Sequence, residues 1–236
     1  MEYFIFGNVD TRSYNIHIFP LNIDLAPEVY QQQISVPGKH GNLLAVNRRF
    51  ENVTHRYTGV IYQNAESNLA AFRSAIMKYD GYAKLTDSIL TDEFYQARYA
   101  GGLEPDLALG RDMVKFVIEF DRKPQRFLLS GEEITSITSS YGSLSNPTPF
   151  PSKPLIRIYG NGTVGVGGKS ITVTGNPYSY VDVDCEMMDC FYGATNLNSK
   201  VSLPGFQFPT LGSGSVGISR GSGVSRVDIT PRWWRV

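Results

Sequence analysis

Residues 155–166 read LIRIYGNGTVGV, two short runs of apolar and β-branched residues on either side of Asn161-Gly162. An Asn-Gly pair between two such runs is the strongest local signal for a two-residue hairpin turn, because both turn positions need a positive φ. Further short strands are predicted at a spacing of about ten residues, with turn residues between them. They cover residues 170–174, 180–185, 216–219 and 224–231. No helix pattern lies among them, so this part of the chain predicts an all-β sandwich.

Two motifs in the same region match signatures of catalysis or cofactor binding. Residues 160–165 match G-x-G-x-x-G, but a dinucleotide fingerprint needs a helix after the glycines, and β-branched residues follow here. Residues 217–221 match the nucleophile elbow G-x-S-x-G, which needs a helix after the serine and a histidine downstream. All three histidines, His17, His40 and His55, lie upstream. We therefore predict no catalytic residue and no cofactor site.

The N-terminal part combines strand patterns with one helix. Asn64 is a candidate N-cap, and apolar residues at 69, 72, 76 and 79 follow at helical spacing. Gly81 is the predicted C-terminal stop. Strands are predicted at residues 13–19, 57–62, 95–99 and 114–120. The first part is therefore expected to be α+β, or a β-sandwich with one helix packed on it.

Charge and proline content divide the chain in two. Lys+Arg 22 and Asp+Glu 22 give zero net charge overall. The first part is slightly acidic and the second slightly basic. Residues 146–154 contain four prolines, which fit neither a central strand nor a helix. We predict domains at 1–130 and 131–236, with a proline-rich joint at about 146–154.

Composition also narrows the classes of function. A chain without a basic excess is not expected to bind nucleic acid independently of sequence. No apolar run approaches the ~20 residues of a membrane span. The first residues, MEYFIF, carry no basic region and no cleavage motif, so no secretion signal is predicted. Cys185 and Cys190 are expected to be free and buried on at least one side.

Acidic residues are densest around residues 182–190. In a strand, Asp182, Asp184 and Glu186 share one face, and Val183 and Cys185 lie on the other. This pattern predicts a solvated or partner-facing acidic stripe, with weak calcium binding as the alternative. No histidine lies nearby, so no metal site is predicted. The basic pair at 122–123 is expected to be solvated.

Two further features are candidates for contacts with partners. Pro37, Gly38, Lys39, His40 and Gly41 form a turn that needs glycine conformations twice, and they are candidate interface or turn residues. Trp233 and Trp234 lie next to two arginines. This pair is expected to pack in the core and at an interface, and contact with a sugar or another partner is the alternative.

Ten stretches together resemble the distal tail protein family of long-tailed siphophages, the hub between tail tube and tail tip. In the N-terminal part they are ISVPGKHG at 34–41 and residues 84–88, 94–97 and 114–124. In the C-terminal part they are residues 146–148, 153–156, 159–162, 183–186, FPTL at 208–211 and PRWW at 231–234, in the family's order. His40 departs from the pattern, because family members often carry an acidic residue there.

The resemblance implies a mainly β chain of two domains. The N-terminal β-sandwich-like domain, with one helix and a hairpin, would assemble into a hexameric ring. The C-terminal domain would be a galectin-like β-sandwich that faces outward. The implied partners are further copies of the chain, the major tail or tube protein, the tape-measure protein, the tail-tip or tail-associated lysin protein, and receptor-binding proteins.

The expected function is therefore that of a non-enzymatic structural hub in a virion tail tip, assembled in the bacterial cytoplasm. The hub would join the tail tube to the tail-tip or lysin protein. The alternative belongs to another class: a carbohydrate-binding module that recognises host cell-wall glycans through the galectin-like domain and Trp233-Trp234. Neither function calls for a metal, a cofactor or a membrane.

Overall fold

The computed structural model describes residues 2–20, 26–106 and 113–236. The chain is mainly β, and the described residues contain one α-helix. It divides into two compact units, Met1–Arg126 together with Val236, and Phe127–Arg235. Each unit has a hydrophobic core of its own. The predicted fold class, mainly β with a helix in the first part, is confirmed.

The first unit is built on one large sheet. Its elements are β1 (Phe4–Phe6), β2 (Val9–Asp10), β3 (Ile16–Pro20), β4 (Val29–Ile34), β5 (Leu43–Phe50), β6 (Val53–Ile61), α1 (Ala65–Ile76), β7 (Ala83–Asp87), β8 (Glu93–Asp106) and β9 (Val114–Leu128). Seven strands form the main path of the sheet, in the order β2-β1-β7-β8-β9-β6-β3. Strands β6 and β9 pair antiparallel from Val53↔Arg122 to Ile61↔Val114.

Helix α1 covers the core face of this sheet. It buries Ala65, Leu69, Phe72 and Ile76, the face predicted from the apolar spacing. The Phe72 ring lies 5.8 Å from the Phe116 ring of β9. Phe116 in turn lies over Gly59 of β6, where an added Cβ would come within 2.2 Å of the ring. A glycine in β6 therefore makes room for the aromatic core.

Both predicted ends of the helix differ in detail from the structure. Asn64 is at the N-cap position, but its φ of 49° is left-handed and its side chain makes no capping hydrogen bond. The helix ends at Ile76, where Met77 N–H still donates to the Arg73 carbonyl. The prediction that Gly81 is the stop is wrong, because the last turn closes four residues earlier. Tyr79 lies beyond the helix and packs its ring 5.1 Å from Phe6.

Strands β4 and β5 form a separate two-stranded hairpin. They pair from Val29↔Phe50 to Ile34↔Leu43, with an irregularity between Val29 and Gln31. The sequence pattern did not predict these two strands, because their apolar and polar residues do not alternate and β4 buries no face.

The second unit is a sandwich of two antiparallel sheets. Its strands are β10 (Thr135–Ile137), β11 (Tyr141–Asn146), β12 (Leu155–Gly160), β13 (Gly162–Val166), β14 (Lys169–Val173), β15 (Val181–Asp184), β16 (Asp189–Tyr192), β17 (Thr195–Asn196), β18 (Val201–Ser202), β19 (Gly214–Arg220) and β20 (Val224–Thr230). A further short strand, β21 (Trp234–Arg235), belongs to neither sheet and pairs with β9. One sheet has the order β10-β20-β12-β15-β16-β17, and the other β11-β19-β13-β14-β18. Alternate residues of both sheets share one core, as an all-β sandwich requires.

Neither G-x-G-x-x-G at residues 160–165 nor G-x-S-x-G at residues 217–221 is followed by the helix that its chemistry requires. Residues 160–165 cover the end of β12, the connection at Asn161 and most of β13, with Gly160 at φ +100°. Ser219 lies inside β19, and no helix follows it. Both motif matches are therefore features of strands and turns. The predicted hairpin at Asn161-Gly162 is wrong, because β12 pairs with β15 and β20, whereas β13 pairs with β14 and β19 in the other sheet.

The structure places the proline-rich stretch 146–154 inside the second unit rather than between the units. Asn146 holds it there: its Nδ2 donates to the Phe150 and Leu211 carbonyls, and its Oδ1 accepts from Thr148 N–H at 2.9 Å. Ser152 bridges to Leu211 through backbone hydrogen bonds. Prolines suit this segment because it runs between strands and donates few ladder hydrogen bonds.

Candidate protein interface

The β4–β5 hairpin exposes large apolar side chains. All six residues of β4 are exposed. Five large apolar side chains of the hairpin are 40–53% exposed: Val29, Tyr30, Ile34, Leu43 and Leu44. Large apolar side chains that an element leaves exposed are typical of surfaces that contact other proteins. The hairpin is the strongest candidate for an interface in the first unit.

The predicted interface residues lie at the tip of this hairpin. Lys39 N–H donates to the Val36 carbonyl at 3.1 Å, and Gly38 and Gly41 both have a φ of +79°. These positive φ values are the two glycine conformations that the sequence predicted. Below the tip, Asn42 Nδ2 donates to Gln33 Oε1 at 3.1 Å. All five tip residues from Pro37 to Gly41 are exposed, and their contact with a partner stays a prediction.

The two tryptophans have different environments. Trp233 is 4% exposed and belongs to the core of the second unit. Its backbone N–H would lie 2.4 Å from a Cβ added to Gly131, so glycine is needed at that position. Trp234 is half-buried and stacks on Phe150 at 4.6 Å. Its Nε1 donates to the Pro151 carbonyl at 3.0 Å. Because Trp233 is buried, it cannot contact a sugar, and only Trp234 of the pair remains a candidate for that contact.

The prediction of a solvated acidic stripe is wrong for Asp182 and Asp184, whereas Glu186 lies beyond the end of β15 and is exposed. Asp182 and Asp184 are each 4% exposed. Arg157 donates to both oxygens of Asp182, at 2.7 and 2.9 Å. Arg232 donates to both oxygens of Asp184, at 2.8 Å each. A buried carboxylate needs such a partner, and each arginine supplies one.

The pKa shifts of the residues in and next to this stripe indicate that these residues stabilise the fold and do not take part in a reaction. Burial alone would raise the pKa of Asp184, but hydrogen bonds from Arg232 and from the Met187 and Glu186 amides outweigh it and lower the pKa. Burial raises the pKa of both thiols, Cys185 and Cys190, to about 12, so neither is a thiolate near neutral pH. Both cysteines are free and buried, as predicted.

A polar cluster that the sequence did not predict lies inside the first unit. Tyr57 Oη donates to Asp87 Oδ2 at 2.8 Å. His55 is 1% exposed, and its ring lies 4.6 Å from the Tyr57 ring. The guanidinium carbon of Arg122 lies 4.6 Å from the Tyr95 ring.

The prediction that the basic pair at 122–123 is solvated is wrong for Arg122, which is 1% exposed. Alternate residues of β9 point into the core, and this set runs from Phe116 through Ile118 and Phe120 to Arg122. The same alternation along β6 places His55 between Val53 and Tyr57. Extending the strand period by one step beyond the apolar run would have identified both residues.

Burial controls the ionisation of this cluster. The pKa of His55 falls to about 4, because burial and the charge of Arg122 disfavour the imidazolium. Burial also raises the pKa of Tyr57, with Asp87 adding to the effect, and raises the pKa of Tyr95 to about 12. The cluster is enclosed by the core, so its groups cannot meet a substrate.

The described parts of the chain contain neither a cluster of metal ligands nor a membrane-spanning helix. Among residues 2–20, 26–106 and 113–236, no three His, Cys, Asp or Glu side chains are grouped to hold a metal ion. Within the same ranges, no helix has the length and apolar character that a membrane span requires.

Comparison with solved structures identifies the type of fold. The chain is similar to the Dit protein of phage SPP1, a hub of the adsorption apparatus in phages that infect Gram-positive bacteria. The TM-score is 0.71 at 9% identity, with 100% of both chains covered. The fold is therefore that of a phage tail hub protein, which confirms the resemblance to distal tail proteins.

Two structures of the phage P2 baseplate, in its activated conformation, are also similar. The one with Ca has a TM-score of 0.56 at 12% identity and covers 97% of this chain and 96% of the other. The one with Sr has a TM-score of 0.56 at 11% identity and covers 100% and 98%. No protein-family profile and no curated protein sequence matches the chain.

Proposed function

We propose that this protein is a non-enzymatic structural hub of a siphophage tail tip, and that six copies form a closed ring. The fold of a phage hub, shared over the full chain, supports the hub role. The exposed β4–β5 hairpin is the observation that carries the ring. Cyclic assemblies form when one patch of a chain meets a different patch on its neighbour.

The hairpin needs a partner for physical reasons. A two-stranded hairpin is at best marginally stable in water. This one leaves Ile34, Leu43 and Leu44 largely exposed. Packing these side chains against the next copy would stabilise each by roughly 1–2 kcal/mol, at about 25 cal/mol per Å² buried. Pro37, Gly38, Lys39, His40 and Gly41 at the tip would then lie at or near the contact.

The ring would join the tail tube and the tape-measure protein on one side to the tail-tip or tail-associated lysin protein on the other. Receptor-binding proteins are a further proposed partner. The location would be the virion tail tip, after assembly in the bacterial cytoplasm. The second unit would be the outward galectin-like domain.

The alternative, a carbohydrate-binding module that uses Trp233-Trp234, finds little support at that pair. One ring is in the core, and the other is stacked on Phe150 with its N–H already bonded. The hub is therefore the better proposal for the chain as a whole.

Absolute mass by light scattering coupled to size exclusion, at several concentrations, tests the ring. We expect a species near six times 26.2 kDa. Leu44→Asp should dissociate it, because a charge on the apolar hairpin cannot be buried without a partner. Met187→Asp is the matched control, since Met187 is exposed on a turn of the second unit.

A chain that is monomeric at every concentration would contradict the proposal in its simplest form. Equal masses for Leu44→Asp and Met187→Asp would contradict the role of the hairpin. Circular dichroism of each variant shows whether the fold is retained.

A further inference from the structure

Strand β11 is an edge strand of the second unit with one open side. It ends the sheet β11-β19-β13-β14-β18 and pairs with β19 in unbroken register from Tyr141↔Ser219 to Asn146↔Gly214. Proteins normally keep an edge strand from pairing with another chain by making it short, or by giving it a charge, a proline or a bulge. β11 has six residues and none of these features.

The other edges of the three larger sheets are short or blocked. Strands β2, β17 and β18 have two residues each, and β10 has three. Strand β3 has five but ends at Pro20, and its Ile18 N–H already donates to the Glu2 carbonyl at 3.2 Å. Among the described residues, β11 is therefore the edge of these sheets best suited to accept a further strand.

Alternate residues of β11 point their backbone groups away from β19. Arg220 N–H donates to the Ser140 carbonyl at 2.9 Å, in the same register that β11 continues. Because bonded and non-bonded pairs alternate along an antiparallel ladder, the even-numbered residues of β11 bond to β19 and the odd-numbered residues face the open side. The odd-numbered residues are Tyr141, Ser143 and Ser145.

Most of the backbone groups on the open side have no partner in the parts of the chain that the structure describes. Ser139 Oγ donates to the Tyr141 carbonyl at 2.7 Å. The Tyr141 N–H and both backbone groups of Ser143 and Ser145 bond to no other described residue. All three residues are exposed. Such a row of donors and acceptors at strand spacing is complementary to the backbone of another extended segment.

The side chains of β11 define the pattern that an added strand should have. Leu144 points inward and packs, half-buried, against the core of the second unit. The odd-numbered side chains lie on the exposed outer face. A neighbouring strand places its own alternate residues in the same two layers. It should therefore carry apolar residues on the Leu144 side and hydroxyl residues on the other.

Arg220 adds a positive charge at one end of this edge. Its guanidinium donates to the carbonyls of Thr138 at 2.6 Å, Ser139 at 3.2 Å and Val224, and it forms no ion pair with a carboxylate among the described residues. Thr138 and Ser139 directly precede β11, so the charge lies at the N-terminal end of the edge. An antiparallel partner has its C-terminal end there, where a carboxylate would complement the charge.

We propose that β11 is a docking site for an extended segment of another protein, which adds to the sheet as an antiparallel strand. The segment alternates apolar and hydroxyl residues and has a carboxylate at its C-terminal end. A second copy of β11 fits less well, because β11 contains no acidic residue and Leu144 is its only aliphatic side chain. The site goes beyond the hub function and does not depend on the ring, since one chain contains the whole edge.

Amide hydrogen exchange of the full chain, resolved by fragmentation mass spectrometry, tests the site. The probe is the acetylated peptide TVTVTVD, and TVTVTVK is its matched control. In the free chain the amides of Tyr141, Ser143 and Ser145 should exchange quickly and that of Leu144 slowly. TVTVTVD should slow the three fast amides about ten-fold, and TVTVTVK should slow them less, because it lacks the side-chain carboxylate.

Two substitutions at one position separate the backbone contact from the side chain. Ser143→Pro removes the central N–H of the open side and should abolish the effect of TVTVTVD. The fold should be retained, because this N–H makes no bond to β19, and circular dichroism checks it. Ser143→Ala is the matched control, since it keeps the N–H and should respond as the wild type does.

The proposal would be overturned if TVTVTVD left the three amides unprotected, or if it acted equally on wild type and Ser143→Pro. Protection of these amides in the free chain at every concentration would show that the edge is already covered. Protection that grows with the concentration of the chain alone would identify a second copy as the occupant and would also overturn the proposal. None of these outcomes depends on six copies forming a ring.

Discussion

His55 makes the stability of the first unit depend on pH. Among the described residues, neither of its ring nitrogens has a hydrogen-bond partner. The charged groups that influence it are Arg122, which lowers its pKa, and Asp87, which raises it. In the folded chain the pKa is about 4, against about 6.5 in an unfolded chain.

The unfolded chain therefore binds more protons between these two values, and stability falls as the pH drops from about 6.5 towards 4. The total loss is about 3 kcal/mol. His55→Leu should remove this part of the pH dependence, whereas His17→Gln should leave it in place. Urea unfolding at about pH 7 and about pH 5 measures the difference. An unchanged pH dependence in His55→Leu would contradict the assignment.

The buried pair of Asp184 and Arg232 gives a second prediction for single residues. Asp184→Asn leaves a partly buried guanidinium without its carboxylate, which should lower the free energy of unfolding by about 2 kcal/mol. The control is Glu186→Gln, because Glu186 pairs with Lys153 at an exposed site. That change should cost less than about 1 kcal/mol. Comparable losses for both variants, by urea unfolding, would argue against a structural role for the buried pair.

The burial of Asp182 and Asp184 could not be predicted from the local sequence pattern. Alternation correctly placed Val183 and Cys185 in the core and the aspartates on the other face. It did not show that the other face is covered, because the arginines come from 25 and 48 positions away. A partner at that separation is set by sheet order, which local periodicity does not contain.

At the scale of elements, the turn between β12 and β13 depends on a close approach of two backbones. An added Cβ at Gly223 would lie 1.9 Å from the Asn161 carbonyl oxygen. The Asn161 N–H also donates to the Gly223 carbonyl at 3.1 Å. Gly223→Ala must therefore move one turn away from the other.

We expect Gly223→Ala to lower the melting temperature by several degrees, about 2 kcal/mol in stability. Gly212→Ala is the matched control, because no atom lies within 4 Å of its added Cβ. Differential scanning calorimetry compares the two. Equal melting temperatures for Gly223→Ala and Gly212→Ala would contradict the prediction, because they would show that the two turns can move apart without loss of stability.

Elements with a strong local pattern were predicted well. The six predicted strands of the second unit lie within one or two residues of their predicted positions, and α1 buries the predicted face through Ile76. The shorter or more exposed strands β10, β11, β16, β17 and β18 were not predicted. The β4–β5 hairpin was missed although its tip was identified, because a hairpin that buries no face has no alternation to detect. The same lack of burial makes it the candidate interface.

At the scale of the whole molecule, the fold over the full chain is that of a phage hub, although only 9% of residues are identical to SPP1 Dit. Ten short stretches resembled that family despite the low overall identity. The assembly could not be derived in this way. A ring interface consists of exposed side chains, and its geometry depends on how several copies are arranged. The sequence of one chain contains no pattern that specifies this arrangement.

Electron microscopy of the purified full chain tests the ring most directly. Class averages should show closed particles with six-fold symmetry, and Leu44→Asp should yield none of them. Closed particles of another symmetry, open filaments, or single chains at all concentrations would contradict the account.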